Sequence, residues 1–329
     1  MAMLRFSARW FLFYFFLTCS SQSTWTYAPP TPISPESPLY ERLRISSAAR
    51  RAFHTHNLSE AQWEMLEAMA RSHAAWNERI NVVSRKDIDN LISRHYLPSL
   101  ALINLFLPKT STLTESKFES YTVPRLKELL RGEGLPVSGR KSDLLARLTL
   151  NERNKYGDEC KTIKDAKFLD VGTGGGFPGL PLAIACPNSH FTLIDSRSKK
   201  LEVVRAIVEE FDMKNVEVVH GRVEDTFTPN TAFDFVLGRA VTALPTFVSW
   251  VKPYLRTGSE CSKEWGSQSG ILYMKSDTKA ADLQSLGLRP SDVRMCSIEN
   301  LLGTAETVKD SYTLGYNSIV HIPASKITI

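Results

Sequence analysis

None of the five cysteines (Cys19, Cys160, Cys186, Cys261, Cys296) sits in a Cys-x-x-Cys spacing. That absence argues against a disulfide framework and against a zinc site, and leaves five lone buried thiols as the expectation, with no metal. Nothing long and apolar stands out either. The run Trp10–Leu17 is far short of the ~20 residues that span a bilayer, so no stable membrane insertion of the mature chain is expected. Neither sign of charge dominates: 40 Lys and Arg face 35 Asp and Glu, for a net +5. Such a balance permits nucleic-acid binding without demanding it. What remains is 329 residues, 43% hydrophobic and 23% charged, the composition of a globular chain of about two domains plus extensions. There is no internal repeat, and a monomer is expected.

The amino-terminal stretch lacks acids altogether before Glu36. Arg5 and Arg9 precede the short apolar run, and a Ser/Thr-rich tract (Thr18, Ser20, Ser21, Ser23, Thr24, Thr26) leads into prolines as far as Pro38. A charged start with a short apolar core matches a secretory-type signal, and the hydroxyl-rich, acid-poor continuation resembles a transit peptide. Residues 1–56 are therefore read as presequence and linker. A signal followed by a transit tract points to a plastid (chloroplast), with a mitochondrion as the alternative. A signal anchor or a misplaced start codon would give the same pattern.

Two helical units follow. In the first, 57–109, Ser59 and Gln62 form a capping box, with Leu58 and Trp63 at the staple positions. Trp63, Leu66, Met69, Ala70, Trp76 and Ile80 recur at helical spacing. A second helix is expected after Asp87 through Ile88, Leu91, Ile92 and His95, interrupted or kinked at Pro98. These helices cannot bury both faces alone and read as a cap on something larger. The second unit, 117–151, has Thr122 and Pro124 opening a helix that Gly132 and Gly134 stop, then a turn, then a helix carrying Leu144, Leu145 and Leu148. It resembles a SAP motif, a small nucleic-acid-binding module, in Val123, Leu126, Leu129, Leu130, Gly134-Leu135-Pro136, Gly139, Lys141, Leu144 and Leu148.

From 160 to 329 the pattern alternates. Strands are expected at Phe168–Val171, His190–Asp195, Val216–Val219, Phe233–Leu237 and Ile271–Lys275. Helices are expected at Pro178–Cys186, Ser198–Phe211 and Ala243–Leu255, with Tyr312–Leu314 and Ser318–Ile322 as a closing hairpin. The polar segment Thr257–Ser269 reads as a surface loop. Alternation of this kind implies a doubly wound α/β sheet, Rossmann-like.

The chemistry is expected at Asp170-Val171-Gly172-Thr173-Gly174-Gly175-Gly176-Phe177-Pro178-Gly179, where a strand runs into glycines and then a helix. Glycines let backbone approach a ligand where a Cβ would clash, in the crevice at the carboxyl ends of parallel strands. Gly174-x-Gly176-x-x-Gly179 also satisfies the dinucleotide fingerprint, a weak signal by itself. Two carboxylates turn the reading to S-adenosylmethionine. Asp170, just before the turn, suits the cationic amino-acid end of that molecule and would repel a pyrophosphate. Asp195, ending the next strand, can accept from both ribose hydroxyls; a plain helix cap is the simpler alternative. Glu224 or Asp225 in the turn Gly221–Asp225 is either a third ligand-side acid or a solvated charge.

Taken together, Asp170–Leu182, Phe191–Arg197, Gly221–Asp225 and Gly238–Val241, with Trp76-Asn77, Ile80-Asn81 and Arg94-His95 upstream, resemble the bacterial-type ribosomal RNA guanine-N7 methyltransferase family (RsmG, also called GidB). The likeness spans roughly Leu58–Leu107 and Lys167–Ile322, with the SAP-like unit between. It implies a methyltransferase dependent on S-adenosylmethionine, acting on N7 of a guanine in 16S-type small-subunit rRNA, alone or within a pre-ribosomal particle. By the same resemblance Gly172 and Phe177 line the cofactor site, with Gly174 and Gly176 in the loop. Val223 and Glu224 contact adenine, and Arg239 stands at the cofactor and substrate mouth, the one candidate for a catalytic role. Pro98 stands where the family often has an acid, and Asn81-Val82-Val83-Ser84 replaces its Asn-Leu-Thr-Ser; both departures put RNA docking in doubt more than methyl transfer.

Guanine N7 carries a lone pair and no proton, so no general base is required. The chain agrees: it has no Asn/Asp-Pro-Pro-Tyr motif, and Cys186-Pro187 reverses the Pro-Cys order of cytosine-C5 enzymes. Arg197, Lys199 and Lys200 after the second strand, and Arg140 and Lys141 in the SAP-like unit, are the candidates for gripping RNA phosphate. A small-molecule methyltransferase on the same fold and a catalytically inactive nucleic-acid-binding protein remain as rivals, with a nicotinamide dehydrogenase a distant third.

Overall fold

The computed structural model describes residues 28–52, 58–105, 118, 121–145, 147–148, 165–228, 231–256, 269–275, 280–298, 301 and 318–327. Seven strands form one sheet in the order β3-β2-β1-β4-β5-β7-β6. They are β1 Lys167–Val171, β2 His190–Asp195, β3 Val216–His220, β4 Phe235–Arg239, β5 Gly270–Lys275, β6 Arg294–Ser297 and β7 Ser318–Pro323. β1 to β5 run parallel, and β7 lies antiparallel between β5 and β6. The chain is thus the doubly wound α/β protein that the alternation implied. β1 sits at the reversal of strand order, between β2 and β4, and such a switch point opens a crevice beyond the strand ends.

Period-two alternation on β1 divides the core. Phe168 stacks on Phe191 at 4.5 Å and on Phe235 at 4.9 Å, its register partners in β2 and β4. It belongs to the cluster that takes in the cap helix residues Leu66 and Met69. Leu169 and Val171 point the other way, into a second cluster with Phe247 and Tyr273. Asp170, two residues from Phe168, therefore shares the cap-side face.

The cap begins with the Glu60–Asn77 helix, opened by the expected capping box of Ser59 and Gln62. Gln62 also donates to the carbonyl of Ile184 at 2.7 Å, joining cap to sheet layer. After it the chain does not form one kinked helix. A 3₁₀ segment Arg85–Asn90, a π turn Ile92–Tyr96, an α segment Leu97–Ala101 and a 3₁₀ turn Leu102–Leu105 follow in succession. Pro98 has no N–H to give and its ring crowds the preceding turn; the wider π turn just before it makes that room.

The range 1–56, expected as presequence and linker, contains packed structure in its second half. The short helices Pro38–Arg42 and Ser47–Ala52 are part of the fold, because Leu43, Ile45 and Ala49 are buried in the cap-side core. Glu67, itself buried, accepts from the Ile45 N–H at 2.8 Å and from Arg50 at 2.8 Å. The larger apolar residues of this tract, Leu39, Tyr40, Leu43 and Ile45, stand among arginines and serines without the sustained period of a longer helix, so the pattern does not read as a packed element. Residues 1–27, with the whole presequence pattern up to Tyr27, lie outside the described residues.

The unit around 118–148 has its own small core of Phe118, Leu126, Leu130, Leu144 and Leu148. Its Val123–Gly132 helix ends as expected at the glycines: Gly134 takes φ +69°, and the Leu135 N–H reaches the Leu130 carbonyl at 2.8 Å. Other differences are local. β4 starts at Phe235, leaving Phe233 in a lone bridge to Leu255, and the helix expected to Leu255 is α-helical only over Leu244–Val251. β7 pairs with β6 and β5; the expected strand Tyr312–Leu314 and the loop 257–268 lie outside the described residues. Cys186 is buried but Cys296, on the edge strand, is only half-buried, while Cys19, Cys160 and Cys261 are outside the described residues. Among the described residues, no helix is long and apolar enough to cross a membrane.

Candidate functional site

β1 ends in backbone that only glycine adopts without strain. Gly172, Gly174 and Gly176 have φ of +69°, +59° and +90°, and their roles differ. A Cβ on Gly172 would press on Val241 at 2.9 Å, and one on Gly176 would strike Leu180 at 2.3 Å, so both serve internal packing. A Cβ on Gly174 would meet nothing nearer than Lys200 Nζ at 3.8 Å. That position opens into a crevice of about 470 Å³, within the range of small-molecule sites.

The walls of the crevice come from the carboxyl ends of β1, β2, β3 and β4. Of the residues singled out in the sequence, Gly172, Gly174, Phe177, Asp195, Val223, Glu224 and Arg239 line it. Arg197 and Lys200 line it as well, whereas Lys199 is exposed and does not. Arg140 and Lys141 are exposed on the separate SAP-like unit. Val82 from the cap and Trp250 from the Leu244–Val251 helix complete the rim. Neither carried a sequence signal: a valine in a loop and a tryptophan on an apolar helix both read as packing.

Asp170 and Gly176 are not among the lining residues. Asp170 is 1% exposed, and one carboxylate oxygen accepts from Thr173 Oγ1 at 2.6 Å and from the Gly179 N–H at 3.0 Å. Asp170 shares the cap-side face with Phe168 and ties the glycine turn to the next helix through this oxygen, while its other oxygen, Oδ1, is buried without a hydrogen-bond partner. Its burial pushes the carboxyl up to about 6, against the pull of Thr173 and Gly179.

Asp195 does reach the crevice. One oxygen accepts from the Gly174 N–H at 2.8 Å and the other from the Arg197 N–H at 2.9 Å. A carboxylate has about four acceptor positions, so Asp195 holds the turn in place with acceptor capacity to spare. Lys200 stands beside it with its pKa lowered, chiefly by burial and further by Arg197 and Arg239, against the attraction of Asp195.

Beneath the turn, Phe177 lies among rings from the cap: His73 at 4.8 Å, His95 at 5.1 Å and Tyr96 at 5.2 Å between centroids. His73 is fully buried, with Nδ1 2.7 Å from Tyr96 Oη and Nε2 2.6 Å from the Gly175 carbonyl oxygen. A carbonyl can only accept, so Nε2 carries the proton and Nδ1 accepts from the Tyr96 hydroxyl. Burial drives the His73 pKa down to about 4. Arg239, at the end of β4, places its guanidinium 5.2 Å from the Phe177 ring and donates through Nη2 to His95 Nδ1 at 2.8 Å. Nothing in the sequence marks His73 for a role, since one histidine amid a helix's apolar positions looks like core.

A binding site for S-adenosylmethionine must admit a nucleoside and accept from its ribose diol. The open space over Gly174 and the remaining acceptor positions of Asp195 meet both needs, and Asp195 and Glu224 add negative charge for a cation. Comparison with known proteins agrees in kind. Residues 142–297 match the family described as rRNA small subunit methyltransferase G (GidB), and residues 117–152 match the SAP domain. A ribosomal RNA small subunit methyltransferase G of Flavobacterium psychrophilum is 34% identical over 69% of this chain and 78% of its own length.

The chain belongs to the ribosomal RNA small subunit methyltransferase G family.

A relative of the same name from Cytophaga hutchinsonii is 31% identical over 82% of this chain and 95% of its own. The SAP domain lies between the cap and the methyltransferase sheet of this family member. A solved precorrin-6y C5,15-methyltransferase from Geobacter metallireducens GS-15 covers 41% of this chain and 65% of its own at TM-score 0.32 and 14% identity, a likeness too slight to argue from.

Proposed function

We propose that this chain transfers a methyl group from S-adenosylmethionine to N7 of a guanine in small-subunit ribosomal RNA, as a monomer, in an organelle reached through its amino-terminal tract. The observation that carries the cofactor reading is the crevice over Gly174, held open by Asp195 at the end of β2. The family relatives carry the RNA reading. A plastid is the destination favoured by the acid-free, hydroxyl-rich start before Glu36.

In this reading Asp195 binds the ribose hydroxyls, Val223 and Glu224 border the adenine, and Gly174 gives backbone closeness that a side chain would deny. Gly176 and Asp170 shape the turn from behind, and Gly172 stands at the crevice wall against Val241. When bound, S-adenosylmethionine supplies an electrophilic methyl on a sulfonium. N7 has an in-plane lone pair and no proton to lose, so no side chain has to act as base. The chain's task is then positioning, with Arg239 set at the crevice mouth to donate to acceptors of the incoming nucleotide. Arg197 and Lys200 on the crevice wall, and Lys199, Arg140 and Lys141 farther out, supply cations for RNA phosphate.

The test is to map N7-methylguanine in the rRNA of plastids and mitochondria, with and without this protein. Loss of one small-subunit methyl group in one organelle is expected. An unchanged methylation pattern in both would refute the proposed substrate.

A further inference from the structure

The cap contributes a side chain to the machinery of the sheet. From the 2.8 Å contact between His95 Nδ1 and Arg239 Nη2, we propose that His95 is a positioning residue that sets the guanidinium of Arg239 at the crevice for methyl transfer. The inference rests on the function proposed above and adds to it a residue from outside the cofactor fold.

Three observations carry it. An arginine only donates, so Nδ1 of His95 must accept, and the neutral ring keeps its proton on Nε2. That Nε2 is buried and has no hydrogen-bond partner. An apolar side chain of similar size would fill the same space with no unpaired donor; the imidazole is worth its unsatisfied N–H because it supplies an acceptor to Arg239. Second, Arg239 is fixed from two directions, by His95 at its Nη2 edge and by the Phe177 ring against its face. Two constraints define an orientation where one would leave a swivel. Third, His95 sits in the π turn Ile92–Tyr96. The turn sets both His95 and Tyr96 against Phe177, and π turns inside helices recur at functional sites.

Burial and the nearby charges of Arg239 and Arg94, with His73, hold the ring's pKa down to about 2. His95 thus stays an acceptor at any pH at which the protein would work. Arg94 on the same turn is engaged with Asp87.

The experiment is a double-mutant cycle on the full chain, with methyl transfer to small-subunit rRNA as the rate and calorimetry for S-adenosylmethionine affinity. His95→Leu is expected to lower kcat on the order of tenfold or more with cofactor affinity within about twofold of wild type, given removal of a bond to a charged donor. His95→Asn, whose amide oxygen can replace Nδ1, is expected to recover most of the rate. In an Arg239→Ala background, His95→Leu should have no further effect. Equal losses from His95→Leu in both backgrounds, or no difference between Asn and Leu at position 95 in folded variants, would overturn the inference. Nitrogen NMR of the wild-type imidazole covers the case of a variant that does not fold: the proton is expected on Nε2 at neutral pH, and a doubly protonated ring, or one with its proton on Nδ1, overturns the assignment. A wild-type chain with no transfer to any rRNA would instead sink the proposed function, and this inference with it.

Discussion

The Nε2–H of His73 in the cap helix donates to the carbonyl oxygen of Gly175 in the glycine turn at 2.6 Å. A residue 102 positions upstream thereby holds the loop's backbone. His73→Leu would leave that carbonyl and the Tyr96 hydroxyl without partners in a dry core. Unmet buried groups cost about 1–3 kcal/mol each, so urea unfolding should show a loss of that order, with weaker S-adenosylmethionine binding because the turn is no longer pinned. An unchanged midpoint would mean that the contact is dispensable.

The same histidine sets a pH dependence. Its pKa falls from 6.5 to about 4 in the fold, chiefly through burial. Between those values the unfolded chain binds the proton and the folded chain does not, so stability drops as pH falls. The contribution is complete above pH 6.5 and gone by about 4. The stability difference between wild type and His73→Leu should therefore shrink on acidification through that window, as read from paired urea titrations.

Glu210 works in the opposite sense. It accepts from Ser72 of the cap helix at 2.6 Å, and burial raises its pKa from 4.5 to about 7, against that hydrogen bond. The folded chain holds a proton that the unfolded chain releases, so stability is lost as pH rises from 4.5 through about 7. Glu210→Gln removes the charge and keeps an acceptor. It should stabilise the protein by on the order of 1–3 kcal/mol at about pH 8, and the gain should vanish below pH 4.5. Calorimetric melting at the two pH extremes reads the difference.

Much of this arrangement was legible in the residues. The strand, glycine turn and helix from Asp170 to Cys186 announce themselves because glycine, proline and a carboxylate at a strand end each have a local cause. The capping box at Ser59 is equally local. What stayed hidden depends on faces and on distance along the chain. The role of Asp170 turns on which side of the pleat it occupies, and Phe168 two residues earlier already sets that side; charge alone says nothing of the alternation. His73 and Trp250 reach the site only when the cap and the fourth strand's helix fold onto it, and no spacing along the sequence encodes that; His95 stands out in the Arg94-His95 pair, but its contact with Arg239 arises only from the same folding. The packed segment Pro38–Ala52 was masked by its neighbour, a tract with the composition of a targeting peptide.

Gly174 offers a cleaner test of the crevice than its neighbours, because a side chain there has room inside the protein and none alongside a ligand. Its φ of +59° makes any other residue cost about 1–2 kcal/mol. Gly174→Val should fold and lose S-adenosylmethionine affinity by roughly tenfold or more in calorimetry. A folded variant with undiminished affinity would contradict the placement of the ligand.

The SAP unit should act on RNA alone. Replacing Arg140 and Lys141, both exposed, with glutamate should weaken binding to small-subunit rRNA and flatten its salt dependence, by roughly 0.7–0.9 in the log–log slope for each phosphate no longer neutralised. Cofactor affinity should not move. If RNA binding is unaffected, the grip lies elsewhere.

The most direct test of the proposed chemistry is to incubate the full chain with small-subunit rRNA and methyl-labelled S-adenosylmethionine, digest the RNA and identify the labelled nucleoside. A single label is expected, in N7-methylguanosine, and it should disappear in Asp195→Ala. Label in any other nucleoside, or none from a chain that binds the donor, would contradict the assignment.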